Sequence, residues 1–322
     1  MQVRNLISSK VSLAPMAGIT DYVLRSLVRK YSKSCLITTE MISSEALTQV
    51  KNTDIVKKDD NHTPISYQLS GHKPEMIANC ANYLQKYADM IDINMGCPVN
   101  KVVKGTDGCA LMRNPDLASE IVKTTKSKIK IPLSVKFRLG YTFDEMNYVE
   151  FGQKMQEAGA NFITIHARTR SQMYGGHADW KKIAELKRNV DIPVFANGDI
   201  TSIESAIQCL EESQADGVAI GRGIIGDPSL IYRIEQYLNK GEYINPPTLE
   251  EKVNILKEHL FEEMNFRGED IGMKFVRKFY PYYINGFQGA SKIRGNLVTL
   301  NSIKEILKIL DELLTKDTFI NV

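Results

Sequence analysis

The sequence predicts a (β/α)8 TIM barrel followed by a C-terminal all-helical domain, and three observations carry that reading. Short apolar, β-branched segments recur at roughly thirty-residue intervals, eight times over. Stretches with helical spacing separate most of them. The alternation stops at Asn239-Lys240-Gly241, after which only helical patterns follow.

The eight strand segments are Val11–Ala14, Cys35–Thr39, Pro64–Leu69, Met90–Asn94, Leu133–Phe137, Phe162–His166, Pro193–Ala196 and Gly217–Ile220. Their apolar runs are nearly continuous, as expected of strands covered on both faces. Leu117–Thr125, Tyr148–Ala158 and Ile203–Glu212 show the helical repeat between them, and the longest connection lies between the fourth and fifth strands. A doubly wound open sheet is the competing arrangement, but eight consecutive units favour the closed barrel. Asn245-Pro246-Pro247 then breaks the chain, and Thr248 with Glu251 forms the signature of a capping box. Helical patterns follow over Leu249–Glu263, Gly272–Asn285, Ala290–Leu300 and Ser302–Leu314. The expected division is a barrel over 1–240 and a helical domain over 245–322.

Hydrophobic content of 43% with 25% charged residues suits a globular chain with a full core. A net charge of +3 is a mild pointer to a polyanionic partner. The first ten residues contain no apolar signal core, and no apolar run is long enough to span a bilayer. Cys35, Cys80, Cys97, Cys109 and Cys209 are odd in number and form no Cys-x-x-Cys pair, which argues against disulfides and a structural metal. A reduced, cytoplasmic protein with no membrane association and no metal is expected, monomeric and without an obligate protein partner.

Barrel active sites lie at the C-terminal strand ends. Polar residues spaced by two, sharing one face of a strand, cluster there: Asp92 and Asn94, Lys136 and Arg138, His166 and Arg168, Asn197 and Asp199. Any one pair could be a polar plug; four on consecutive strands point to a site. The last two strands end in glycine turns, Asn197-Gly198-Asp199 and Gly221-Arg222-Gly223, suited to a phosphate. A phosphate-tailed cofactor lying across the mouth fits these features. Cys97, between Gly96 and Pro98 at a strand end, is the one cysteine in a reactive setting. A thiol that stays protonated near neutrality can serve as a general acid.

Taken together, Leu13-Ala14-Pro15-Met16-Ala17-Gly18-Ile19-Thr20-Asp21, Gln68-Leu69-Ser70-Gly71, Asp92 through Pro98, Gly105 through Met112, Lys136-Phe137-Arg138, His166 through Arg170, Gly176 through Trp180, Asn197 through Ile200 and Gly221-Arg222-Gly223 resemble the tRNA-dihydrouridine synthase family. The C-terminal Lys278-Phe279-Tyr280 and Gly286 through Ser291 are most similar to its bacterial B-type subgroup. Residues 109–112 depart from the leucine pair common in that family. The resemblance implies FMN, NADPH or NADH as reductant, and reduction of the C5–C6 bond of uridine in the tRNA D-loop. It implies that Pro15, Met16, Ala17, Gln68, Lys136, His166, Asn197, Gly198, Asp199, Gly221 and Arg222 hold the flavin. Asn94 would orient the uracil, and Cys97 would give the proton to C5 after hydride reaches C6. Arg168 would meet either flavin or RNA.

Between Lys274 and Arg294 lie five basic residues, Lys274, Arg277, Lys278, Lys292 and Arg294, no acidic one, and six aromatic rings, from Phe275 to Phe287. Phosphate-neutralising charge beside rings suits a structured RNA, so these cations are the expected tRNA contacts; the alternative is that the rings form the domain's core. Two rival functions remain open at this point. One is an FMN barrel reducing or dehydrogenating a free pyrimidine, of the dihydroorotate dehydrogenase kind, for which the basic extension has no use. The other is an RNA-binding barrel without flavin.

Overall fold

A computed structural model describes residues 3–49 and 62–315. Its strands are β1 (Val11–Leu13), β2 (Leu36–Thr38), β3 (Ile42–Ser43), β4 (Ile65–Ser70), β5 (Met90–Met95), β6 (Leu133–Arg138), β7 (Phe162–His166), β8 (Val194–Asn197) and β9 (Gly217–Ile220). All pairings between them are parallel. β1, β2 and β4 through β9 form the barrel, which closes where Ile37 and Thr38 of β2 pair with Ile65 and Ser66 of β4. Each of the eight predicted strands is present. β3 was not expected: two residues are too few to show a period, and it only extends β4 at Leu69 and Ser70.

Alternation along each strand sorts the side chains. On β6, Leu133, Val135 and Phe137 turn outward, and Phe137 meets Phe151 of helix Tyr148–Glu157 at 5.1 Å between ring centroids. Ser134, Lys136 and Arg138 have the opposite parity. The barrel interior is therefore layered. At its floor Leu6, Ile7, Leu36, Met90, Phe162 and Phe195 form a separate apolar cluster. Above them stand Ser12, Thr38, Ser66, Asp92, Ser134 and Thr164, lining one small cavity. Gln68, Asn94, Lys136, His166 and Asn197 reach the mouth.

After helix Leu230–Lys240 the chain runs without regular structure to Thr248. There the capping box forms as the sequence predicts, with Thr248 Oγ1 accepting from Glu251 N–H and Glu251 Oε2 accepting from Thr248 N–H at 2.7 Å. Helix Leu249–Arg267 follows, then Glu269–Val276, Ala290–Thr299 and Ile303–Thr315. The predicted helix over Gly272–Asn285 is instead broken: a 3-10 turn at Arg277–Phe279 leads into the short helix Tyr280–Tyr283, with Pro281 in its first turn. Proline has no N–H to give the preceding turn, so the earlier helix cannot run through it. The predicted helical domain extends to residue 322 and so runs past the described residues.

The helical segment is fastened to the loop after β1. Arg267 bonds the carboxylate of Asp21, which also caps helix Tyr22–Tyr31 by accepting from Leu24 N–H at 3.0 Å. Lys278 donates to the carbonyl of Gly18. Lys30 pairs with Glu258 on the surface. No helix among the described residues is long and apolar enough to cross a membrane.

Candidate active site

The C-terminal strand ends enclose a cavity of about 400 Å³, within the range of small-molecule sites. Pro15, Met16, Ala17, Gln68, Asn94, Cys97, Lys136, His166, Asn197, Gly198, Asp199, Gly221 and Arg222 all line it. Thirteen separate positions read from the sequence thus meet in one place. Arg138 and Gly223, read from the sequence at the strand ends, line it as well, and so does Tyr174, which was not among the expected residues.

A chain of hydrogen bonds crosses from the barrel interior to Cys97. Ser134 Oγ donates to Asp92 Oδ1 at 2.5 Å, and Gln68 Nε2 donates to Asp92 Oδ2 at 2.6 Å. Asn94 Nδ2 donates to Gln68 Oε1 at 2.9 Å. Asn94 Oδ1 then accepts from the backbone N–H of Cys97 at 2.9 Å and of Gly96 at 3.2 Å. Asn94 therefore fixes the loop that carries Cys97, with both ends of its amide engaged. From below, Cys109 N–H donates to Cys97 carbonyl at 3.1 Å. A Cβ at Gly108 would come within 2.8 Å of that same oxygen, so the loop is seated on a glycine. Burial raises the Cys97 thiol above its ordinary value, against the Val99 N–H and the charges of Arg138 and Lys136. The thiol is protonated at neutral pH. The other four cysteines are buried, and all five are free.

The strands that follow make the cavity cationic. Lys136 Nζ donates to Asn197 Oδ1 at 3.1 Å, and burial, reinforced by Arg138, brings its pKa down to about 8. His166 is held well below the usual imidazole range by burial and then by Arg138, Lys136, Arg168 and Arg222 around it. It is a neutral ring in a positive field, a setting that favours an anion. Arg222 stands half exposed at the mouth, 3.6 Å from Asp199. A Cβ at Gly223 would lie 2.3 Å from the Ile200 carbonyl, so the turns after β8 and β9 pack backbone to backbone. At Gly221 a Cβ would find only Met16 Sδ at 3.6 Å and Asn197 Nδ2 at 4.0 Å, both cavity residues. A bare backbone thus faces the cavity beside Arg222, which is the cradle an approaching phosphate needs.

The geometry gives Arg168, Asp199 and several of the helical segment's cations partners within the protein. Arg168 does not line the cavity. It is buried behind the wall, donating to both carboxylate oxygens of Asp199 at 2.8 and 2.7 Å and to the carbonyls of Gly175 and Gly176. Asp199 engages its carboxylate with Arg168 and with Ala178 N–H at 2.8 Å, which makes it a brace for the neighbouring loop. In the helical segment Phe279, Tyr280 and Tyr283 are buried core, the alternative weighed for the rings. Arg277 donates to the Leu300 carbonyl and Arg294 to the Ile284 carbonyl, both at 2.8 Å, and Lys278 lies 3.3 Å from the Phe275 centroid while holding Gly18. Lys274 and Lys292 are exposed and have no partner among the described residues.

A sequence profile described as "Dihydrouridine synthase (Dus)" matches residues 12–318. The chain belongs to the dihydrouridine synthase family. It is 41% identical over 315 residues to the "Probable tRNA-dihydrouridine synthase 1" of Synechocystis, covering 97% of this chain and 88% of that protein. It is 38% identical over 300 residues to the "Probable tRNA-dihydrouridine synthase" of Rickettsia conorii, covering 92% and 90%. Identity to the "tRNA-dihydrouridine synthase B" of Pseudomonas aeruginosa is 35% over 291 residues, covering 89% and 87%. The family resemblance read from the motifs is thus borne out. Among solved structures, the old yellow enzyme homologue from Zymomonas mobilis superposes with a TM-score of 0.50 at 12% identity, over 75% of this chain and 90% of that one. That likeness concerns the barrel fold.

Proposed function

We propose that this dihydrouridine synthase family member reduces uridine in tRNA to dihydrouridine, with FMN in the barrel mouth and NADPH or NADH as reductant. The observation that carries the proposal is a protonated thiol, Cys97, held in the wall of the cavity that Lys136, His166 and Arg222 also line. A flavin held there would supply the hydride for uracil C6. Lys136 would offer positive charge to a flavin ring that gains electron density, and Gln68 has one amide N–H left that could serve the ring edge. Arg222 and the turns at Gly198 and Gly221 receive the phosphate. Cys97 gives its proton to C5 as the new C–H bond forms, and solvent restores the thiol. Asn94 acts through Cys97 by fixing its loop. Residues 1–240 serve as the flavin-binding catalytic unit, and residues 245–322 contribute to tRNA binding.

General acid assistance is worth roughly 10²–10⁴-fold, which sets the expected loss in Cys97→Ala. Rapid mixing separates two steps, reduction of bound flavin by NADPH and its reoxidation by tRNA. The variant should fold, stay yellow and be reduced at the wild-type rate, yet form little dihydrouridine by nucleoside mass spectrometry. Cys109→Ala, a control at a thiol turned into the core, should keep its turnover. Wild-type dihydrouridine formation by Cys97→Ala would remove the thiol from the mechanism.

A further inference from the structure

Tyr174 is half exposed, yet its ring stands at the cavity mouth among groups that hold it still. Its neighbours along the chain are pinned from two sides. Arg138 donates to the carbonyls of Thr169 at 2.8 Å and Met173 at 2.7 Å. Arg168 donates to those of Gly175 at 3.0 Å and Gly176 at 2.6 Å. The segment is closed on itself by Thr169 N–H donating to Gln172 Oε1 at 2.8 Å. Two buried guanidinium groups therefore support a loop whose tip carries one large, unburied ring. The ring lies 5.4 Å from the Arg138 guanidinium carbon and 5.5 Å from that of Arg222. Arg138 in turn holds the Gly96 carbonyl, next to Cys97, at 2.9 Å. The ring thus stands between the guanidinium that holds the Gly96 loop and the guanidinium beside Gly221.

An aromatic ring left half in water on a rigid support has little to contribute to folding. Its exposed surface is suited to a flat partner, since stacking is tolerant of the partner's identity and loses little entropy when the ring is already fixed. We propose that Tyr174 is a substrate-positioning residue that stacks on a planar heterocycle entering the mouth, and so sets the angle at which that ring meets the cofactor. The proposal rests on the function proposed above, where two partners have this chemistry: a pyrimidine of the RNA and the nicotinamide of the reductant. Both are flat, and neither needs the phenol hydroxyl.

Tyr174→Ala and Tyr174→Phe, compared with the wild-type holoenzyme in rapid-mixing assays, test it. Stacking on one ring supplies about 5- to 150-fold per base. Tyr174→Ala should weaken the apparent affinity in one half-reaction by a factor in that range, with Tyr174→Phe close to wild type. Loss confined to reoxidation by tRNA assigns the ring to the pyrimidine; loss confined to reduction by NADPH assigns it to the nicotinamide. Unchanged kinetics in both half-reactions for Tyr174→Ala overturns the proposal, as does a Tyr174→Phe variant as impaired as Tyr174→Ala. Wild-type protein in the same assay keeps the two readings apart. If it forms no dihydrouridine the proposed function falls and this inference with it, whereas normal wild-type turnover with an indifferent Tyr174→Ala removes only this inference.

Discussion

Lys136 shows how one residue's surroundings become a measurable property. Its folded-state value of about 8 lies below the 10.5 of a free lysine because burial and Arg138 disfavour the ammonium. The unfolded chain therefore binds more protons between those values, and in the ligand-free protein this group makes stability rise with pH across that window. Flavin binding runs the other way. The anionic ring of a reduced flavin favours the ammonium, so binding of the reduced form takes up a proton above about pH 8, and its affinity should fall by up to about tenfold per further pH unit. Anaerobic titration with reduced flavin over that range, followed by absorbance, should show the inflection in wild type and none in Lys136→Met. A wild-type profile flat through pH 8 would refute the linkage. Lys136, His166 and Asn197 were legible in the sequence because a strand's period of two is written there directly. Arg168 was misplaced by the same rule. β7 ends at His166, the chain turns with Arg168 N–H donating back to His166 carbonyl at 2.7 Å, and alternation no longer says which way the side chain goes. Tyr174 left no such trace, since its place is set by arginines from two strand ends.

Among the elements, the joint between the helical segment and the loop after β1 bears most on the site, because that loop carries Pro15, Met16 and Ala17. Asp21 is buried beside Glu263, and Arg267 bonds both. Removing the cation from a fully buried pair costs 3–5 kcal/mol, and since Arg267 is a quarter exposed, Arg267→Met should cost about 2–3 kcal/mol. Lys257→Met, which breaks a pair with the largely exposed Asp311, should cost less than about 1 kcal/mol. Chemical denaturation monitored by circular dichroism compares the two, and equal losses would show that the joint carries no special weight. Flavin should also leave Arg267→Met more readily. The capping box at Thr248 was readable because a cap is local. This joint was not, because nothing near Asp21 in the sequence indicates a partner hundreds of residues away.

For the whole molecule the open matter is how tRNA reaches the mouth. The five basic residues divide into two kinds. Arg277, Lys278 and Arg294 hold carbonyls within the protein, while Lys274 and Lys292 are exposed without a partner among the described residues. Neutralising Lys274 and Lys292 together should weaken tRNA binding and flatten its salt dependence by roughly 0.7–0.9 log units for each phosphate that is no longer neutralised, with flavin reduction untouched. Filter binding at several salt concentrations measures the slope, and an unchanged slope would take these two lysines out of the interface. The same neutralisation at Arg277 or Arg294 should register first as reduced stability. The joint between the two ends of the chain also has a consequence for how the protein is made. Asp21 waits for a partner 246 positions later, and Gly18 for one 260 positions later. At a translation speed of roughly 5–20 residues per second, the first cavity-lining loop stays about 12–50 s on the ribosome before its clasp exists. A nascent barrel lacks this clasp until the helical segment has been made, so that side of the mouth is completed late in synthesis.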